Sequence, residues 1–169
     1  MRSYREYLFP ILGFIILSLG LFVACGKPGY VSYENDKMGY AISYPLNWQV
    51  EFSEDQTVVY IKSPAGRGSV KIDVAGPISA KAAANYFLAS IAEGTPGKTV
   101  TQFENKPMQD FWDWYLSYDW EAEYGLYHGE AYFKQTEKHL YKLDTAADKT
   151  SYENYDFNAI ISTFKLLGR

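Results

Sequence analysis

The sequence predicts an α+β fold in which helices flank an antiparallel sheet, preceded by an N-terminal signal or membrane helix. Three observations lead to this prediction. Short segments that alternate apolar and polar residues recur along most of the chain, separated by turns rich in glycine, proline and aspartate. Apolar residues at helical spacing stand out in two places, near residues 80–93 and 150–164. Finally, residues 7–24 contain no charge.

The uncharged N-terminal segment resembles a bacterial lipoprotein signal peptide. Arg2 and Arg5 precede it, and the tripeptide at 22–24 leads directly into Cys25, the only cysteine in the chain. In such signals the cysteine is acylated and becomes the mature N-terminus. We therefore predict that residues 1–24 are a cleaved signal peptide and that Cys25 is the lipidation site.

An uncleaved membrane helix is the alternative to a signal peptide. Residues 7–24 reach the lower end of the ~17–25 apolar residues that cross a bilayer. Both interpretations put the N-terminal arginines in the cytoplasm and everything after Cys25 on the extracytoplasmic face of a bacterial cell membrane. They differ in the kind of anchor and agree on the compartment.

The rest of the chain has the usual size of one domain, which we place at residues 33–167 after a short lipidated spacer at residues 25–32. The formal net charge is −4 and lysine and arginine form no cluster, so nucleic acid is not an expected partner. With Cys25 acylated, no thiol remains for a disulfide or for a cysteine metal site. The core alone must hold the domain together.

The first half of the domain predicts strands followed by a helix. Residues 39–45 alternate and stop at Pro45, because proline lacks the N–H that a continuing strand needs. Segments 48–52, 58–63 and 69–75 continue this pattern as an antiparallel meander. Ser79 then caps a helix that runs to about Glu93, whose apolar stripe consists of Ala83, Ala84, Phe87, Leu88 and Ile91.

The second half returns to strands and closes with a helix. A weak strand is predicted at 99–104 and a long one at 111–124, where even positions are mostly aromatic and odd positions mostly polar. This alternation predicts one buried and one wet face. Strands at 126–135 and 139–146 follow. A two-residue turn between them would put Phe133 and Lys142 on the same face, so a longer or bulged loop is expected. Capping-box spacing at 150–153 and an apolar stripe predict the terminal helix; the stripe is Phe157, Ile160, Ile161 and Phe164.

A family resemblance joins the two ends of the domain. The segment from Gly39 to Trp48, GYAISYPLNW, resembles the opening signature of the PsbP family, and residues 140–146, 152–155 and 160–164 are similar to its last strand and helix. The resemblance covers about residues 33–167. It implies an α/β/α sandwich, shared with a Ran-binding import factor, that binds other proteins without catalysis. The photosystem II role of some members does not follow from the fold, and no functional residue of the family lies in the matching segments.

Four carboxylates on the odd-numbered face of the long strand are the candidate ligands for a hard cation such as Ca²⁺. Neighbours on that face lie roughly 6.5–7 Å apart, which suits a solvated face paired with Lys134 or Lys142 better than ligands converging on one ion. Tyr115 shares this face and is a candidate binding residue. The four carboxylates are Asp113, Asp119, Glu121 and Glu123.

The histidines and tryptophans favour structural roles. A metal site at His128 and Glu130 would need a third ligand from across the hairpin, where His139 opens the next strand, so ordinary exposed or hydrogen-bonded histidines are the favoured interpretation. The tryptophans at 112, 114 and 120 share the apolar parity of their strand, which predicts core packing.

No motif in the sequence supports catalysis or a cofactor. There is no nucleophile elbow and no phosphate-binding loop. We therefore predict a non-catalytic protein, anchored to the membrane by a lipid on Cys25, that binds a neighbouring membrane protein complex or assists its assembly. The alternative is a module that binds carbohydrate or an envelope polymer through exposed aromatic side chains.

Overall fold

The computed structural model describes residues 29–94 and 100–168. The predicted signal peptide and Cys25 lie outside the described residues. Within the described ranges, no helix has both the length and the apolar character needed to cross a bilayer.

The described residues form ten strands and two α-helices. In chain order these are β1 (Tyr30–Asn35), β2 (Tyr40–Pro45), β3 (Gln49–Phe52), β4 (Val58–Lys62), β5 (Gly68–Ala75), α1 (Ala80–Gly94), β6 (Val100–Pro107), β7 (Trp114–Ala122), β8 (Gly125–Gln135), β9 (Leu140–Asp148), α2 (Phe157–Ile161) and β10 (Lys165–Leu166), with a 3-10 turn at Tyr152–Asn154 before α2.

Two antiparallel sheets organise the domain. The larger has seven strands in the order β3-β4-β5-β9-β8-β7-β6, and the smaller has three in the order β1-β2-β10. Helix α1 covers one face of the larger sheet, and an apolar cluster that includes Ala84, Leu116 and Phe133 fills the space between them. The smaller sheet and α2 contribute to a second cluster with Ile61 and Leu143 on the opposite face. The predicted class, an antiparallel α+β sheet flanked by helices, is confirmed.

The N-terminal part differs from the prediction in two ways. Strand β1 begins at Tyr30, so regular structure starts inside the predicted spacer at 25–32 and before the predicted domain boundary at 33. Strands β3, β4 and β5 form the expected meander, but β2 pairs with β1 and β10 in the smaller sheet. The chain leaves β2 at Pro45, which ends that strand and lets it cross to the larger sheet.

Strand β7, predicted at 111–124, is shorter than predicted, and the face formed by its odd-numbered residues is only partly exposed to solvent. Strand β7 begins at Trp114, and Trp112 lies in the opposite apolar cluster from its neighbour Trp114 because the alternation breaks before the strand. Asp119 is only 4% exposed and Ser117 is also buried. Long-range partners on β8 and after β9 cover this face, which a local alternation pattern cannot reveal.

In place of the predicted terminal helix, the structure has a short helix followed by a short strand. Helix α2 has one full turn and is capped by Asp156, whose carboxylate accepts a hydrogen bond from the Ala159 N–H at 3.2 Å. The predicted capping segment at 150–153 forms the 3-10 turn instead. All four residues of the predicted apolar stripe are buried. Thr163 ends the helix by accepting a hydrogen bond from the Ser43 N–H at 2.8 Å, which directs the chain into β10 beside β2.

Candidate functional site

Helix α1 covers only half of its side of the larger sheet. It packs mainly on β6, β7 and β8, and in the part of the chain that the structure describes no helix packs to a similar extent on the half built by β3, β4 and β5. Side chains directly opposite each other in the register share a face, and the register joins polar and aromatic residues into one surface on this half. We call this surface the open sheet face; it consists of Glu51, Tyr60, Lys62, Lys71, Asp73, Lys142 and Asp144.

A shallow cavity of about 330 Å³, wide open to solvent, lies where α1 meets the open sheet face. Its lining is mainly apolar, and two ionisable side chains, Asp73 and Lys142, also line it. Tyr86 on α1 contributes to the lining while being 69% exposed. The apolar lining residues are Ile78, Ala83, Phe87, Phe133 and Leu140. The mainly apolar lining therefore suits an apolar group of a binding partner, which would enter the cavity beside the charged side chains of Asp73 and Lys142.

Lys142 is held in the cavity wall by two partners. Its ammonium lies 2.6 Å from Asp73 Oδ2 and 3.9 Å from the centre of the Phe87 ring. Asp73 also pairs with Lys71 at 3.1 Å. A charge that loses water needs such partners, because an unpaired buried charge is costly.

These contacts correct the prediction for the turn between β8 and β9. Phe133 stands directly opposite Lys142, and Gln135 opposite Leu140, which is the register of a two-residue turn. The predicted longer or bulged loop is therefore wrong. The lysine is tolerated beside Phe133 because Asp73 neutralises it and Phe87 covers its ammonium.

A second polar contact runs beneath α1 next to the cavity. Tyr118 on β7 donates a hydrogen bond from its Oη to Asp144 Oδ1 on β9 at 2.7 Å, across the intervening strand β8. Gly129, opposite Tyr118 on β8, leaves room for the ring, because a Cβ there would lie 2.7 Å from the tyrosine Cζ and Oη. Burial raises the pKa of Asp144 to about 6, against the opposing charge of Lys142.

Two exposed tyrosines lie on the cavity side of the sheet, and one of them, Tyr86, lines the cavity. Tyr60 on the open sheet face lies between the ammonium groups of Lys62 and Lys71, at 5.5 and 5.4 Å from the ring centre. Tyr86 projects from α1. Tyrosines beside an apolar recess are typical of protein interfaces, where they supply large contact area and a hydroxyl.

The four candidate metal ligands do not converge. Asp113 bonds to the Lys134 ammonium at 3.0 Å, as the wet-face interpretation expects, and Asp119 bonds to His128 Nδ1 at 2.7 Å and to Lys149. Glu121 and Glu123 are exposed near the β7–β8 hairpin. Among the residues that the structure describes, no group of three or more His, Cys, Asp and Glu side chains could hold a metal ion.

Tyr115 and the histidines make internal contacts on the far side of the sheet from the cavity. Tyr115 is half-buried and donates to Glu130 Oε1 at 2.8 Å, while Tyr132 donates to the other oxygen of that carboxylate at 2.9 Å. Burial and Glu130 raise the pKa of Tyr115. His128 also packs edge-on against Tyr152, with ring centres 4.5 Å apart.

The tryptophans contribute to packing. Trp112 is buried, and the other three are half-buried against the two apolar clusters. The exposed large aromatic side chains of the described residues are tyrosines and phenylalanines. Core packing of the tryptophans, as predicted, leaves Tyr86 as the exposed aromatic residue of the cavity lining, beside the less exposed Phe87 and Phe133.

Two features of the sequence are signals for the cavity. A two-residue turn between β8 and β9 places Lys142 beside Phe133. A lysine in that position favours a carboxylate on the neighbouring strand, and Asp73 supplies it. A glycine inside a strand, Gly129, indicates the close approach of another group. Both signals depend on register, which the sequence alone left open.

Comparison with solved structures identifies the fold. The solution structure of cyanobacterial PsbP (CyanoP) from Synechocystis matches with a TM-score of 0.67 and 16% identity, over 88% of this chain and 98% of that one. The fold is PsbP-like. The Ran-binding protein Mog1p of Saccharomyces cerevisiae matches with a TM-score of 0.59 and 7% identity, over 83% and 97% of the two chains.

A third similar structure is LpqN of Mycobacterium tuberculosis, described as involved in cell envelope biogenesis. It has a TM-score of 0.53 and 12% identity, over 83% of this chain and 91% of that one. No protein-family model and no curated protein matches this chain. The likeness therefore establishes the architecture that the segment Gly39 to Trp48 suggested.

Proposed function

We propose that this protein is a non-catalytic binding domain on the extracytoplasmic face of a bacterial cell membrane, anchored by a lipid on Cys25. In this proposal it docks on a neighbouring membrane protein complex or assists its assembly. Two similar structures have names consistent with such a role, since Mog1p is a Ran-binding protein and LpqN is involved in cell envelope biogenesis. The proposal for this chain rests on its own surface.

The cavity beside α1 is the observation that carries the proposal. An apolar recess lined by the exposed Tyr86 can take one apolar side chain of a partner, and Tyr60 is exposed on the adjoining open sheet face. The open sheet face pairs its charges, Lys62 with Glu51 at 2.6 Å and Lys71 with Asp73. Such balance favours a partner surface of mixed charge over a highly charged polymer.

The ionisable groups at the cavity favour binding over catalysis. Asp73 and Lys142 are bonded to each other, and Asp144 is bonded to Tyr118. A general acid or base must reach the substrate, whereas the partners of these side chains hold them in or next to the wall of the cavity. Their arrangement stabilises the wall of the recess.

The second candidate is a carbohydrate or envelope-polymer module. Tyr60 and Tyr86 favour it, because exposed aromatic rings beside hydrogen-bonding groups can stack on sugar rings. The two candidates predict different cross-linked products from the same position on α1.

Site-specific photocross-linking in intact membranes tests the proposal. Benzoylphenylalanine replaces Tyr86 beside the cavity or, as a matched control, Phe103, which is an exposed aromatic residue on the edge strand β6. We expect position 86 to cross-link to one membrane protein and position 103 to give no such product. Cross-linking of position 86 to glycan would favour the second candidate, and equal products from both positions would contradict docking through the cavity.

A further inference from the structure

Four exposed apolar side chains lie at one end of the larger sheet, whereas Phe52 and Phe111 are exposed toward the other end. Leu46, in the turn between β2 and β3, is 69% exposed, and Tyr124, in the hairpin between β7 and β8, is 83% exposed. Tyr30 and Leu126, beside these two turns, are also exposed. We call these four residues the apolar end; solvent-exposed leucine at a turn tip has no packing role inside the domain.

Strand register places both turns at the same end. One row of paired residues crosses the sheet from Gln49 on β3 to Tyr118 on β7. The turn that contains Leu46 comes just before Gln49 in the chain, and the β7–β8 hairpin comes just after the part of β7 that follows Tyr118. The row runs through Gln49, Lys62, Ser69, Ala146, Gly129 and Tyr118. From Tyr118, strand β7 continues to Ala122 before the hairpin turns back at Gly125. The Leu46 turn and Tyr124 therefore lie at the same end of the strands, on the two sides of the sheet.

The chain enters the domain at this end. The Leu46 N–H donates a hydrogen bond to the Gly29 carbonyl oxygen at 2.7 Å, and Tyr30 pairs with Pro45. Gly29 follows Cys25 by four residues, which span at most ~14 Å when fully extended. If Cys25 is acylated, as the proposed function requires, this tether keeps the apolar end next to the bilayer.

We infer that the apolar end rests on the membrane, with Leu46 and Tyr124 in the interfacial layer of the lipid. Tyrosine suits that layer because its ring is apolar and its hydroxyl remains hydrated. Glu121 and Glu123 flank the hairpin tip and the chain is acidic overall, so the contact depends on apolar insertion and not on attraction to anionic lipid.

This orientation has a consequence for docking. With this end of the sheet on the bilayer, the cavity beside α1 lies away from the lipid, because Asp73, Leu140 and Lys142 line it near the opposite ends of β5 and β9. A neighbouring membrane protein would reach it there with its extracytoplasmic part.

Nitroxide accessibility in vesicles tests the membrane contact. The full-length chain is reconstituted in phosphatidylcholine vesicles with one added cysteine, from Leu46→Cys, Tyr124→Cys or Lys138→Cys. Lys138 is exposed in the turn between β8 and β9, at the opposite end of the sheet. The unaltered chain is the labelling control, because an acylated Cys25 has no free thiol. Collisions with oxygen report lipid, and collisions with a water-soluble nickel chelate report solvent.

We expect labels at 46 and 124 to collide mainly with oxygen and the label at 138 mainly with nickel, and Leu46→Asp to shift the label at 124 toward nickel. Replacing part of the lipid by phosphatidylglycerol should not strengthen the contrast. If the chain floats with the vesicles but all labels meet nickel equally, the membrane contact is overturned and the anchor stands. Failure to float would overturn both the anchor and the contact, while the photocross-linking comparison decides docking separately.

Discussion

Gly129→Ala is the substitution whose effect follows most directly from the geometry beneath α1. The new Cβ would lie 2.7 Å from Cζ and Oη of Tyr118 and 3.0 Å from the Thr145 carbonyl oxygen. The Tyr118 ring cannot easily retreat, because it is buried, packs edge-on against Phe87 at 5.6 Å and donates to Asp144. The substitution must therefore displace the ring and weaken its hydrogen bond.

The expected loss of stability can be estimated from these contacts. Overpacking a filled core costs about 1–3 kcal/mol, and losing a hydrogen bond to a carboxylate costs about 1.5–3 kcal/mol. Replacing glycine by alanine returns about 0.4–1 kcal/mol by restricting the unfolded chain. The net expectation is a loss of about 2–5 kcal/mol in the free energy of unfolding.

Urea unfolding of purified protein, followed by tryptophan fluorescence, measures this loss. Gly76→Ala is the matched control, because a Cβ at that position meets nothing within 4 Å and the backbone there is not left-handed. The control should be neutral or slightly stabilising. If Gly129→Ala is as stable as Gly76→Ala, Tyr118 does not cross β8 as the structure describes.

Four further substitutions, in three experiments, test the polar contacts on the two faces of the sheet. Burial raises the pKa of Asp144 to about 6 in the folded state, so the contribution of this group to the free energy of unfolding is greatest at low pH and is lost as the pH rises through 6. Measured by urea unfolding, the stability of Asp144→Asn relative to wild type should therefore rise by about 1–3 kcal/mol between pH 4.5 and 7.5. Parallel pH profiles of the two proteins would refute this. Lys142→Met and Asp73→Asn should show a coupling of about 1–3 kcal/mol in a double-mutant cycle, whereas additive losses would mean that the ion pair contributes nothing. Asp119→Asn, which weakens the contacts to His128 and Lys149, should lower stability by about 1–3 kcal/mol; an unchanged urea midpoint would show that these bonds are not formed in solution.

Local sequence patterns predicted elements whose environment is simple. Strands β4 and β5 alternate cleanly because one side faces the apolar cluster with Val59 and Ile72 and the other side is open. Helix α1 follows its apolar stripe, and its cap forms as predicted, with Ser79 Oγ accepting from the Ala82 N–H at 3.2 Å. In these segments the nearest neighbours in the chain decide burial.

Segments with distant partners were not predictable in the same way. Strand β7 carries a buried Asp119 on its polar side because Lys149, after β9, and His128, on β8, bond to it. The terminal helix stops early because Thr163 bonds to β2, which is distant in sequence. Neither partner can be identified from spacing within the segment.

The cavity was missed for the same reason. Its wall joins α1 to β5 and β9, and its ion pair needs the exact pairing of Asp73 with Lys142 across those strands. The candidate residues Tyr115 and Asp119, chosen from the sequence, lie on the strand with the most regular alternation, and their side chains bond to Glu130 and His128 instead. The regular alternation of apolar and polar residues identified a strand of the sheet, but it did not identify the cavity.

Co-purification from detergent-solubilised membranes after gentle cross-linking tests the central claim, docking of the anchored domain on a membrane protein complex, most directly. It compares the wild-type chain with Tyr86→Asp beside the cavity and with Phe103→Asp on β6 as the control. The account predicts that wild type and the control recover one membrane complex in a fixed ratio and that Tyr86→Asp loses it. Recovery of only lipid and envelope polymer by the wild type, or equal recovery by all three, would contradict it.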